Sequence, residues 1–278
     1  MNDKTVVVTG ASNGIGLITA LELAKQGARL LMVVRNKQKG MATVESIKQQ
    51  TGQTPELFIA DLSLVSQTRR VAAEISLAAP KIDVLVNNAG AMFTQRSETS
   101  EGLEMTFALN HMAYFVLTNA LLDNLKAAPQ ARIVNVSSEA HRQGKINWDD
   151  LQAKQKYSAF GVYGTSKLHN ILFSSQLARR LEGTGIVSNA LHPGVVATGF
   201  AAENSGVIGF IFKLIRPLMI TPEKGAATTI HLASSQEVQG ITGKYWNNKR
   251  ATQASGAALD QSAQQRLWLE SERILAAL

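Results

Sequence analysis

Short apolar runs rich in β-branched residues constrain this chain most. They are Thr5–Thr9, Arg29–Val34, Glu56–Ala60, Ile82–Asn87, Arg132–Val136 and Ile186–Leu191. Between them lie stretches of helical period: Gly14–Gln26, Lys37–Gln50, Leu64–Leu77, Leu103–Lys126 and Gly161–Leu181. Strand and helix alternating at this pitch make βαβ units and a parallel sheet. The runs are apolar throughout rather than alternating, so helices cover both faces of that sheet. A seventh strand is expected near Lys244–Trp246. A last amphipathic helix carries Leu267, Trp268, Ile274 and Leu275.

The 278 residues, 45% hydrophobic and 18% charged, suit one α/β domain spanning the chain. No linker, repeat or low-complexity run divides it. Cysteine is absent, which excludes disulfides, thiolate metal sites and cysteine nucleophiles. The five histidines show no metal-ligand spacing, so no metal is expected. The N-terminus reads as a core strand rather than a signal peptide, and no run reaches membrane-spanning length. A cytoplasmic protein is expected, with a peripheral membrane contact as the second reading. The net charge of +7 fits anionic cofactor phosphates, an anionic membrane or a generally basic surface. Nucleic acid is not expected, because the basic residues are scattered.

In a doubly wound sheet, ligands bind beyond the C-terminal ends of the strands. Gly10, Ser12, Asn13, Gly14, Ile15 and Gly16 follow the first strand and open a helix, as a pyrophosphate-binding turn would. At the end of the second strand, an NAD site would place an acid on the ribose hydroxyls. This chain has Arg35 there, then Asn36, with Lys37 and Lys39 nearby. A guanidinium binds a 2′-phosphate through paired charge-assisted hydrogen bonds, so NADP(H) is expected over NAD(H). Asp61, with the backbone of Leu62, is placed to meet an adenine edge; alternatively Asp61 caps the helix starting near Leu64. Asn88, Ala89 and Gly90 bring backbone near the adenine ribose, or simply end a strand.

Tyr163 and Lys167, four apart, share one face of a helix. An ammonium beside a phenol lowers the phenol's pKa. Moving Tyr from about 10 to near 7 takes roughly 4 kcal/mol. Alone, the pair also fits a solvated helix face.

Together these residues resemble the short-chain dehydrogenase/reductase family. The likeness rests on the Thr9–Gly16 turn, Asp61, Asn87–Gly90, Asn110, Ser138, the Tyr163/Lys167 pair and Pro193-Gly194, in that order. It implies a seven-stranded parallel Rossmann sheet, ordered 3-2-1-4-5-6-7, and a nicotinamide cofactor. A narrower likeness, to the retinol dehydrogenase and WW-domain oxidoreductase branch, is carried by Arg132–Ser138, Ala140-His141, Ser166-Lys167-Leu168 and Asn170–Phe173. Leu177–Leu181, His192-Pro193-Gly194 and Thr221-Pro222 belong to it as well. Ser138 lies 25 residues before Tyr163, the longer spacing of that branch. Membrane-bound retinol dehydrogenases carry an N-terminal hydrophobic anchor; this chain opens directly on its first strand.

The resemblance implies Tyr163 as general acid and base, Lys167 as its electrostatic partner and ribose ligand, and Ser138 as the group that polarises the carbonyl. Asn110 would support a proton relay to Lys167. Pro193, Gly194, Val196 and Thr198 would meet the nicotinamide carboxamide. His192 is expected to be a buried structural residue. A substrate lid is implied at 199–222, and its apolar sequence suggests a lipophilic aldehyde, ketone or alcohol. Assembly is left open between a monomer and a homo-oligomer.

Overall fold

The computed structural model describes residues 1–194 and 220–278. Val196, Thr198 and all but the last residues of the expected lid lie outside the described residues. Strands β1 (Thr5–Thr9), β2 (Arg29–Val34), β3 (Glu56–Ile59), β4 (Val84–Asn87), β5 (Arg132–Val136), β6 (Val187–His192) and β7 (Tyr245–Asn247) pair in parallel. Their order is 3-2-1-4-5-6-7, and the direction of winding reverses between β1 and β4. The sheet differs from expectation at one edge. An eighth strand, β8 (Arg250–Thr252), pairs antiparallel with β7. Asn248 and Lys249 both take positive φ, 49° and 61°, the two-residue turn whose twist matches a hairpin. β8 is exposed along its length, so it has no apolar run to mark it in the sequence.

Successive residues of β1 feed opposite cores. Val6 and Val8 pack with α1 (Gly14–Lys25) and with Ile47 of α2 (Lys37–Thr51). Val7 packs with Val71 and Ile75 of α3 (Val65–Ala78) and with Phe173, across the other face. Both faces are covered, as the uniformly apolar strands require.

The stretch 103–126 is not one helix. It runs as α4 (Met105–Phe107), a π turn (Ala108–Met112), α5 (Ala113–Ala120) and α6 (Leu122–Lys126). The Glu104 carboxylate caps its start, accepting from Thr106 N at 2.8 Å and Phe107 N at 2.7 Å. Beyond lie α7 (Ala159–Arg180), α8 (Pro222–Ser234), α9 (Gly256–Leu259) and α10 (Gln261–Ala276). α8 starts on Thr221 as cap with Pro222 in its first turn. Trp268 of α10 packs on Phe115 and Phe173, with ring centres 4.8 and 5.9 Å away, and Arg180 lies over its ring. Among the described residues no helix is long and apolar enough to cross a membrane.

Candidate active site

The glycine turn is built for close approach. Gly10 and Gly14 have positive φ, 67° and 53°, which favours glycine. A Cβ on Gly16 would collide with the Gly10 carbonyl and the Asn88 amide. That amide donates to Thr9 O at 2.8 Å, while Thr9 Oγ1 accepts from Asn88 N at 2.9 Å and Ala89 N at 3.0 Å. Asn88 and Ala89 thus lock the end of β4 against the turn after β1. Asn13 is the N-cap of α1 but makes no side-chain cap bond, and no acid occupies the first turn. Ser12 and Ile15 are half-buried beside it. Among the described residues no side chain or acid caps the first N–H groups of α1, which stand at the positive end of a helix in a cradle that side chains would fill. These residues fit the pyrophosphate of a dinucleotide.

Arg35, exposed at the end of β2, has no ion-pair partner among the described residues. Asn36 caps α2, accepting from Lys39 N at 2.9 Å. Asp61 does not cap α3. Its carboxylate accepts from Ser63 N and Oγ at 3.0 and 2.7 Å, because Glu101 has taken the helix start, accepting from Val65 N at 2.5 Å and Ser66 N at 3.0 Å. Leu62 is buried beside Asp61.

Asn110 sits in the π turn and clamps the chain after β4. It accepts from Ala91 N at 2.9 Å and donates to Ala91 O at 2.8 Å and Ser166 Oγ at 2.9 Å. A Cβ on Gly90 would lie 3.1 Å from Asn110 Oδ1 and 3.3 Å from Lys167 Nζ. Gly90, Asn110 and Lys167 therefore meet at one point, although they come from three parts of the chain.

The two serines after β5 divide their work. Ser137 Oγ donates to Lys167 O at 2.6 Å and is spent holding α7. Ser138 has extended backbone, caps the short 3-10 helix Glu139–Gln143, and hydrogen-bonds the Tyr163 hydroxyl. Gly144 and Gly164 let the two segments touch: a Cβ on Gly164 would lie 2.8 Å from Ala140 O. His192 is buried at the end of β6, its Nδ1 accepting from Glu139 N at 3.2 Å. Burial pulls its pKa down, which suits a neutral acceptor. Pro193 is half-buried, and Gly194 has φ 91° with Ile220 where a Cβ would stand.

The electrostatics differ from expectation. Burial pushes the Tyr163 phenol up to about 12, against a downward pull from the Ser138 hydrogen bond. Burial also draws Lys167 down to about 8. Its Nζ rests on Val136 O at 3.2 Å, 5.6 Å from the centre of the Tyr163 ring. Loss of hydration disfavours the charged form of each group, the phenolate and the ammonium.

Three participants carry weaker sequence signals. Ser166 donates to Tyr163 O at 2.7 Å and links that helix turn to Asn110. Tyr114 is wholly buried, with its hydroxyl 3.5 Å from Val136 O. Asn170 also donates to Val136 O, at 3.1 Å; its signal is an amide among the buried Leu168, Ile171, Leu172 and Phe173. Among the described residues, no cluster of three His, Cys, Asp or Glu side chains could hold a metal.

Known proteins place this geometry. The short chain dehydrogenase family model matches residues 4–206. Human retinol dehydrogenase 14 is 39% identical, the match covering 98% of this chain and 86% of the relative. Human retinol dehydrogenase 12 is also 39% identical, with the same coverage. The crystal structure of an uncharacterised Mycobacterium paratuberculosis protein is 32% identical with TM-score 0.80, covering 99% of this chain and 94% of that one. Pseudomonas aeruginosa RhlG, solved as an NADP active-site complex, is 27% identical with TM-score 0.71, covering 88% and 94%. The chain therefore belongs to the short-chain dehydrogenase/reductase family, in its retinol dehydrogenase-like branch, and is an oxidoreductase acting on CH–OH and C=O groups.

Proposed function

We propose that the protein is an NADP(H)-dependent carbonyl reductase and alcohol dehydrogenase acting on a lipophilic aldehyde, ketone or alcohol. The observation that carries it is the meeting of Ser138, Tyr163 and Lys167 beside Gly90 and Asn110, at the C-terminal ends of the strands. When bound, the nicotinamide supplies or accepts the hydride. In reduction, the Tyr163 hydroxyl donates its proton to the carbonyl oxygen, and in oxidation the phenolate takes it back. The Ser138 hydroxyl donates a hydrogen bond to that oxygen as charge develops on it. The Lys167 ammonium favours the phenolate left behind and holds the cofactor ribose. Gly10 to Gly16 would receive the pyrophosphate; Asp61, Leu62 and Asn88 to Gly90 would line the adenosine side. Pro193 and Gly194, with Val196 and Thr198 outside the described residues, would orient the carboxamide.

Arg35 supports NADP(H) over NAD(H): it stands exposed where an acid would select NAD. RhlG, whose solved complex contains NADP, supports the same choice. The apolar sequence of 199–222, the expected lid, supports a lipophilic substrate. We read the protein as cytoplasmic, with a peripheral membrane contact, supported by the apolar sequence of that segment, as the second reading. A second reading, a retinol- or steroid-type dehydrogenase, is favoured by the retinol dehydrogenases among the relatives.

NADPH oxidation over a panel of lipophilic aldehydes and ketones, with retinol and a steroid alcohol plus NADP⁺ as reverse arms, tests both readings. Tyr163→Phe should lose at least about a thousandfold in kcat and still bind NADPH. Cofactor binding without turnover on any arm would instead mark a non-catalytic sensor. Arg35→Asp should reverse the preference between NADPH and NADH; an unchanged preference sinks the cofactor assignment.

A further inference from the structure

Lys167 and Asn170 are three residues apart on one face of α7, and both are buried, at 3% and 0% exposure. They donate to the same acceptor. Lys167 Nζ lies 3.2 Å and Asn170 Nδ2 3.1 Å from Val136 O, and the Tyr114 hydroxyl approaches the same oxygen at 3.5 Å. A carbonyl oxygen has two lone pairs, so three donors oversubscribe it. The Asn170 amide is oriented by this contact, since the reverse orientation would set two oxygens together. Its Oδ1 then has no partner, although it is buried.

A buried amide with one end unpaired is costly. Among its neighbours Leu168, Ile171 and Leu172 are apolar and just as buried, while the buried His169 packs against the rings of Phe107 and His111; Asn170 differs from all of these in sharing an acceptor with Lys167. The titratable groups facing Lys167 are two phenols: Tyr163 on its own helix, ring centre at 5.6 Å, and Tyr114 from α5, at 6.0 Å. Among the described residues no carboxylate pairs with it. The ammonium rests on the Val136 carbonyl, which it shares with Asn170.

We propose that Asn170 is a positioning residue: by sharing the Val136 carbonyl it keeps Lys167 from closing down on that oxygen, so the ammonium stays able to turn toward Tyr163 and a cofactor ribose. The inference rests on the reading of Lys167 as the partner of Tyr163. Asn170→Ala leaves the carbonyl to Lys167, which then binds it more tightly as the ammonium.

The experiment compares wild type with Asn170→Ala, Asn170→Ser and Ser174→Ala. Two quantities are read: steady-state kinetics, and the pH titration of ¹³C-labelled lysine ε-carbons, with Lys167 assigned by its loss in Lys167→Arg. In Asn170→Ala, kcat should fall about tenfold with KM for the carbonyl within about twofold, and Lys167 should titrate at higher pH. Asn170→Ser returns a short donor and should recover part of both, and its comparison with wild type decides the matter if the alanine variant does not fold. Ser174→Ala, which loses a 3.0 Å contact to Ser188, should lower Tm and leave the Lys167 titration in place. A Lys167 titration unmoved in both Asn170 variants, or one moved equally by Ser174→Ala, overturns the proposal. The titration needs no turnover, so an inactive wild-type protein would overturn the proposed function and leave this test standing.

Discussion

Burial draws the Lys167 ammonium from its ordinary 10.5 to about 8 and pushes the Tyr163 phenol from 10.0 to about 12. The two shifts act on stability in opposite directions. Below pH 8, Lys167 is charged both folded and unfolded, and the full cost of burying it is present. Between about 8 and 10.5 the unfolded chain binds more protons, so the contribution of Lys167 to stability rises with pH. For Tyr163 the folded state holds its proton longer, so its stabilising contribution is complete below 10 and is lost as pH rises toward 12. Urea unfolding from pH 7 to 10 should show the first effect, and Lys167→Met should abolish it while stabilising the fold at pH 7 by about 2 kcal/mol. A second prediction concerns Gly16. An added Cβ would meet the Gly10 carbonyl and the Asn88 amide, so Gly16→Ala should cost about 2 kcal/mol and abolish the proposed NADPH binding, read by cofactor fluorescence. Both residues stand in recognisable motifs, but the direction of the Tyr163 shift was not legible. The spacing shows that Lys167 is near the phenol; it does not show how much water both have lost.

At the level of elements, the break in the 103–126 stretch matters most. Its apolar period continues through Asn110, so the sequence reads as one helix. The π turn arises where Asn110 pairs both backbone groups of Ala91, a contact with another segment. Asn110→Ala would leave the Ala91 groups without those partners. It should cost about 2 kcal/mol in denaturant unfolding and lower kcat by more than that destabilisation alone explains. Glu101 behaves similarly at the start of α3. Asp61 is closer in sequence and is the natural cap to expect, yet Glu101 crosses from the segment before α4 to take both N–H groups. Glu101→Ala should cost about 1 kcal/mol, and Asp61→Ala should leave α3 intact in hydrogen exchange. Helix α7 was legible in position: the period predicts it over Gly161–Leu181, and it spans Ala159–Arg180. The pairing of Ser138 rather than Ser137 with Tyr163 depends on Ser137 being held by Lys167 O.

Across the whole molecule, the proposed site residues come from the segments after β1, β2, β3, β4, β5 and β6, from the π turn and from α7, and the sheet order sets those strand ends side by side. Trp268 closes the far side of α7 through Phe115, Phe173 and Arg180. Trp268→Ala should therefore cost about 3–4 kcal/mol and lower Tm without changing cofactor preference. By itself the sequence determined the parallel sheet, its helices on both faces and the residues that gather at its C-terminal edge. Periodicity and glycine placement are local, and strand–helix alternation leaves few arrangements open. Only the tertiary structure decided the antiparallel β8, the π turn at Asn110, the Glu101 cap and the raised Tyr163 pKa. Each depends on contacts between distant segments and on water excluded around them, which no local pattern of residues records.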